Sequence, residues 1–122
     1  MFRLLAGIVS IVLFFPTSAA AVAPGSGSGT IYQILTTVAT SGKPVMRVIV
    51  NSPNNSGCAN YSSAMFMIDL SSDSGKATAN LVQLVYALGQ SITIYGTGYC
   101  TLGFVHTDTT YIGEDALVAF VQ

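Results

Sequence analysis

Three places in the chain bring together residue types that could do chemistry. The first is Ser74-Gly75-Lys76-Ala77-Thr78, where a glycine and a lysine precede a periodic apolar run. A phosphate-binding loop has this look, because glycines let backbone N–H groups wrap a phosphate while the lysine supplies charge. That loop also needs a glycine at position 70 and a hydroxyl at position 77, where Leu70 and Ala77 stand. Both determinants fail. Ser71, Ser72, Asp73 and Ser74 are instead good helix N-cap types, and Asp73 suits the positive end of a helix dipole. The second place is Gly96 to Gly103, GTGYCTLG. Its first two glycines have dinucleotide-loop spacing, but the third would fall on Thr101 and the segment enters no helical pattern. A strand end or bulge followed by a disulfide accounts for it better. The third is His106 with Asp108, two residues apart and so on one face of an extended chain. No Gly-x-Ser-x-Gly elbow supplies a nucleophile, and the adjacent Glu114 and Asp115 would point to opposite faces of a strand. Neither catalysis nor a cofactor is expected. Two thiols and one histidine, His106, do not fill a structural tetrahedral site, so no metal is expected.

Binding is better supported than catalysis. Tyr61, Tyr95, Tyr99 and Tyr111 lie in or beside loops among Asn, Ser and Thr. Such rings suit a sugar, whose C–H face stacks while its hydroxyls hydrogen-bond. Tyrosine is equally favoured at protein interfaces, and the same rings could half-bury on a small sheet. Asn60, Tyr61, Thr97 and Tyr99 are the candidate binding residues.

Charge narrows the partners. After Arg3 the basic residues are Lys43, Arg47 and Lys76, against Asp69, Asp73, Asp108, Glu114 and Asp115. Nucleic-acid binding depends largely on neutralising phosphates, and three scattered cations make a poor footprint for it. The charged fraction is 7% of the chain, far below the roughly 25% of ordinary domains. A surface so poor in charge is compatible with contacts between copies of the chain or with neutral ligands such as sugars.

The N-terminus indicates where the chain goes. Arg3, a largely apolar run from Leu4 to Phe15, Pro16 and a cluster of small residues follow the order of a secretory signal peptide. A helix of about 12 residues reaches about 18 Å against a hydrocarbon core of about 30 Å, which disfavours a membrane anchor. Residues 1–21 are read as the signal, 22–30 as a flexible lead-in through PGSGSGT, and 31–122 as one small domain. The expected location is the periplasm or outside the cell, without membrane insertion after cleavage. In such an oxidising compartment Cys58 and Cys100, even in number, are expected to form one disulfide. On a chain-entropy model that crosslink stabilises the fold by about 4 kcal/mol.

The elements that must carry these residues follow from periodicity. IYQILTTVAT and VMRVIVNS flank Ser41 to Pro44 as a hairpin. The second strand is apolar on nearly both faces, so it is either central or meets another chain. Asn51 to Ala64 is a long loop, MFMIDL a third strand, and Ala77, Leu81, Leu84, Val85 and Leu88 form one helical stripe ended by Gly89. SITIYGTG is a fourth strand, the segment up to Gly113 holds a fifth with a turn at 107–110, and ALVAFVQ is the last. The class is mainly β with one helix, in the order β-β-β-α-β-β-β.

The run from Ala77 through YALGQSITIYG resembles the helix-to-strand segment of B subunits of the subtilase-cytotoxin type. It also resembles a broad group of small secreted bacterial proteins with one cysteine before this helix and another after the next strand. The resemblance implies an OB-like small barrel and, for the toxin relatives, homo-oligomeric rings that bind cell-surface glycans. The cysteine positions differ from those toxins, and no sugar-contacting residue of theirs matches a position here. The expected function is a secreted, non-catalytic protein binding carbohydrate or protein on a cell surface. The alternative is a structural or inhibitory protein contacting another protein through its sheet.

Overall fold

The structure, a computed structural model, describes residues 24–55, 58, 61–102, 104–106, 109–111 and 113–121. The signal peptide expected over 1–21 lies outside them. The elements are β1 (Ser26–Val38), β2 (Pro44–Pro53), β3 (Ser63–Asp69), α1 (Asp73–Leu88), β4 (Ser91–Gly96), β5 (Phe104–His106), β6 (Thr109–Tyr111) and β7 (Glu114–Val121).

Five strands close a barrel in the order β1-β2-β3-β7-β4, with β4 returning to β1. The β3–β7 pairing is parallel and the other barrel pairings are antiparallel. With the helix between the third and fourth strands, this is the OB-like small barrel expected. The expected fifth strand is instead a ribbon of two short strands, β5 and β6, paired antiparallel from Phe104↔Tyr111 to His106↔Thr109. The ribbon is inserted between the last two barrel strands.

One part of the lead-in is corrected. Ser26 to Thr30 is not a flexible tether but the first half of β1, paired with β4 from Ser26↔Tyr95 to Thr30↔Ser91. From Ile31 onward β1 pairs with β2 instead. Gly29, at φ +153, stands next to this change of partner, and a Cβ there would lie 2.6 Å from the Asn51 carbonyl oxygen. The glycines that look like a linker therefore let one strand bend and serve both halves of the barrel.

Two apolar clusters result. Met46, Val48 and Val50 of β2, Phe66 and Ile68 of β3, and Ile92 and Ile94 of β4 fill the barrel, with Ala79, Val82 and Val85 of α1 packed against them. On the opposite face of β2 and β3, Val45, Ile49, Met65 and Met67 are also buried. Val45 and Met67 meet Ala39, Leu35 and Leu102 there. The second strand is thus central, and its outer face is covered by a later part of the same chain.

The helix begins as its sequence indicates. Ser72 is the N-cap and its Oγ accepts from the Gly75 N–H at 3.0 Å, while Gly89 closes the C-terminus in the left-handed conformation. Just before it, hydrogen bonds from Ser71 and the nearby Lys43 ammonium hold the Asp69 carboxyl below its ordinary value of 3.8. The buried face of α1 differs from the expected stripe. Gly75, Ala79, Val82 and Val85 are buried, whereas Leu84 and Leu88 are 56% and 60% exposed. Both stripes have helical period, and the smaller side chains are the ones that let the helix approach the barrel. Val82→Ala is therefore expected to lower unfolding free energy by about 2 kcal/mol, and Leu84→Ala by no more than about 0.5 kcal/mol, in urea titrations.

Candidate functional site

One rim of the barrel gathers the start of β1, the end of β4, the start of β7 and the loop after β2. Glu114 organises it. Its side chain is fully buried, and its carboxylate accepts the Gly25 N–H at 3.0 and 2.9 Å and the Gly98 N–H at 2.6 Å. Gly25 in turn accepts the Gly96 N–H through its carbonyl at 2.8 Å. A Cβ on Gly96 would lie 2.0 Å from the Glu114 carboxyl carbon, so only glycine leaves room for this carboxylate. Glu114 is thus engaged by backbone donors and shut off from solvent.

Asp115 points the other way, as alternation along a strand requires. Its backbone takes the Thr97 N–H and gives its own N–H to the Tyr99 carbonyl, both at 2.9 Å. Its carboxylate accepts the Thr101 N–H at 3.1 Å and the Thr101 hydroxyl at 2.5 Å. Two consecutive carboxylates thus fix residues 97–101, one from within the barrel and one from outside.

The disulfide expected between Cys58 and Cys100 is present, with Cα atoms 5.5 Å apart. It ties the loop after β2 to the loop after β4. The same loop is also fastened by the Ser26 N–H, which donates to Asn55 Oδ1 at 2.9 Å.

Of the four candidate binding residues, Thr97 and Tyr99 are joined directly, the Tyr99 N–H donating to Thr97 Oγ1 at 3.1 Å. Tyr61 lies three residues after Cys58, whose disulfide partner Cys100 follows Tyr99. Tyr61 and Tyr99 are 37% and 46% exposed. Asn60 and Asp108 lie outside the described residues. Among the described residues no three His, Cys, Asp or Glu side chains come together as a metal site, and the surface forms no pocket.

The sequence reading missed the partner of Tyr95. Its ring meets Phe120 across the β4–β7 pairing, with centroids 5.7 Å apart and planes 35° from parallel. Both rings are half exposed. Compared with protein-family models, curated proteins and solved structures, the chain matches none.

Replacing Glu114 by Gln puts an amide N–H₂ where backbone N–H donors converge and leaves at least one buried donor without an acceptor. Glu114→Gln is expected to cost about 3 kcal/mol of stability in a urea titration, and Asp115→Asn, at the wetter outer position, about 1 kcal/mol.

Proposed function

We propose that this chain is an exported, non-catalytic binding protein whose barrel rim presents tyrosine rings to carbohydrate on a cell surface. The observation that carries this reading is the fastening of the backbone around Tyr99, whose ring is half exposed. The Tyr99 and Tyr61 rings face solvent on loops crosslinked to each other, and Asp115 and Glu114 hold the Tyr99 loop from two sides. A loop whose backbone is fastened before its ligand arrives loses less entropy on binding, and Ser, Thr and Asn nearby supply hydrogen bonds.

The disulfide fits an oxidising compartment, which agrees with export to the periplasm or beyond. Among the described residues no helix is long and apolar enough to cross a membrane. A likeness in fold would not by itself supply a ligand, so the reading rests on the rim.

A second reading has its own observation. Leu84, Leu88, Leu117 and Val121 are exposed aliphatic side chains, which suit a protein partner better than a sugar. On this reading the chain is a structural or inhibitory protein that uses its sheet and helix surface.

Glycan-array binding of the chain without its signal separates the two. At least one glycan is expected to bind, and Tyr61→Ala and Tyr99→Ala are expected to weaken it at least tenfold with unchanged melting temperatures. A silent array, or binding indifferent to both tyrosines, overturns the rim reading.

A further inference from the structure

We infer that the flank of the barrel formed by β1, β4 and β7 is a binding strip for an uncharged, linear glycan chain. This rests on the carbohydrate reading above and extends it from the rim to a second surface. Ile92 and Ile94 fill the barrel, so Ser91, Thr93 and Tyr95 turn outward. Antiparallel register sets Thr30, Ser28 and Ser26 of β1 opposite those three residues in turn, and Phe120 of β7 opposite Thr93 on the other side.

The outcome is a graded surface. Ser26 lies opposite Tyr95 and Ser28 opposite the buried Thr93, Ser91 and Thr30 lie farther along the strip, with the Thr30 hydroxyl accepting from Asn51 Nδ2 at 2.9 Å, and the Tyr95 and Phe120 rings meet with centroids 5.7 Å apart. The Ser28 and Thr93 hydroxyls bond each other at 2.9 Å and keep these two strands in fixed register. Rings offer C–H stacking and hydroxyls offer hydrogen bonds, the two contacts a pyranose face makes.

Charge and shape specify the class of glycan. No Asp, Glu, Lys or Arg occurs from Ser26 to Val38, from Ser91 to Gly96 or from Ala116 to Val121. An acidic sugar would find no cation on this strip to replace its water. With no pocket among the described residues, a single terminal sugar would be poorly enclosed. A chain lying along β4, about 20 Å of strand, gains contacts from several sugar rings in succession. Tyr95 stands at the end of β4 nearest the rim, so the strip leads toward Thr97 and Tyr99. Leu117 and Val121, exposed on the same strand as Phe120, make a second copy of this chain the rival occupant.

Titration calorimetry with cello-, chito-, xylo- and maltohexaose, their disaccharides and hexagalacturonate tests the inference, alongside mass by light scattering. At least one neutral hexasaccharide is expected to bind at least tenfold more tightly than its disaccharide, with hexagalacturonate unbound. Tyr95→Leu and Phe120→Leu keep apolar volume but remove the rings, and each is expected to weaken binding at least tenfold without changing melting temperature or mass. It is overturned by no neutral hexasaccharide bound, no gain with length, equal binding of the acidic chain, or leucine variants that leave affinity unchanged, whether or not they alter mass. If Tyr61→Ala and Tyr99→Ala abolish glycan binding while the leucine variants do not, the strip fails and the rim reading stands.

Discussion

A single buried carboxylate holds the barrel's open end together. Burying a carboxyl group is costly unless hydrogen bonds replace the lost hydration. For Glu114 those bonds come from backbone N–H groups of Gly25 and Gly98, at the start of the first strand and just past the end of the fourth. Because Glu114 itself opens the last strand, one side chain joins three segments far apart in sequence. The space it needs fixes Gly96, and its neighbour Asp115 fixes the loop that carries Tyr99.

That clamp changes where a ligand could sit. OB barrels commonly bind through the face of their second and third strands and the loops beside it. Here Val45 and Met67 on that face are buried against Leu102, and Gly113 lies close against Met65 and Met67. Leu102 and Gly113, which flank the ribbon inserted between the last two barrel strands, cover part of that face. Among the described residues, Tyr99 at the rim and Tyr95 and Phe120 on the flank of the fourth and last strands stay exposed. The chain's low charge, seen first as a bulk property, therefore has a location.

Much of the fold was legible in the sequence because its signals are local. Ser72 and Gly89 cap the helix, alternating Met46, Val48 and Val50 mark a core strand, and the two cysteines pair. The failures share a cause. Whether GSGSG is a tether or a bent strand depends on β4, more than sixty residues later. Which of two helical stripes is buried depends on how closely the barrel end admits the helix. Of the candidate site, Thr97, Tyr99 and Tyr61 were recognisable as loop residues, but the contact of Tyr95 with Phe120 depends on strand register. That Glu114 and Asp115 face opposite ways was legible from strand alternation, but the burial of Glu114 depends on three distant glycines, Gly25, Gly96 and Gly98, converging on it.

The central claim is that Glu114 closes the barrel, and native-state hydrogen exchange at the Gly25 and Gly98 amides tests it most directly. If both amides are buried donors to that carboxylate, they exchange only through global unfolding, as slowly as the amide of Val48 in the central strand. Exchange of either amide at near-unprotected rates, while Val48 remains protected, would contradict the account.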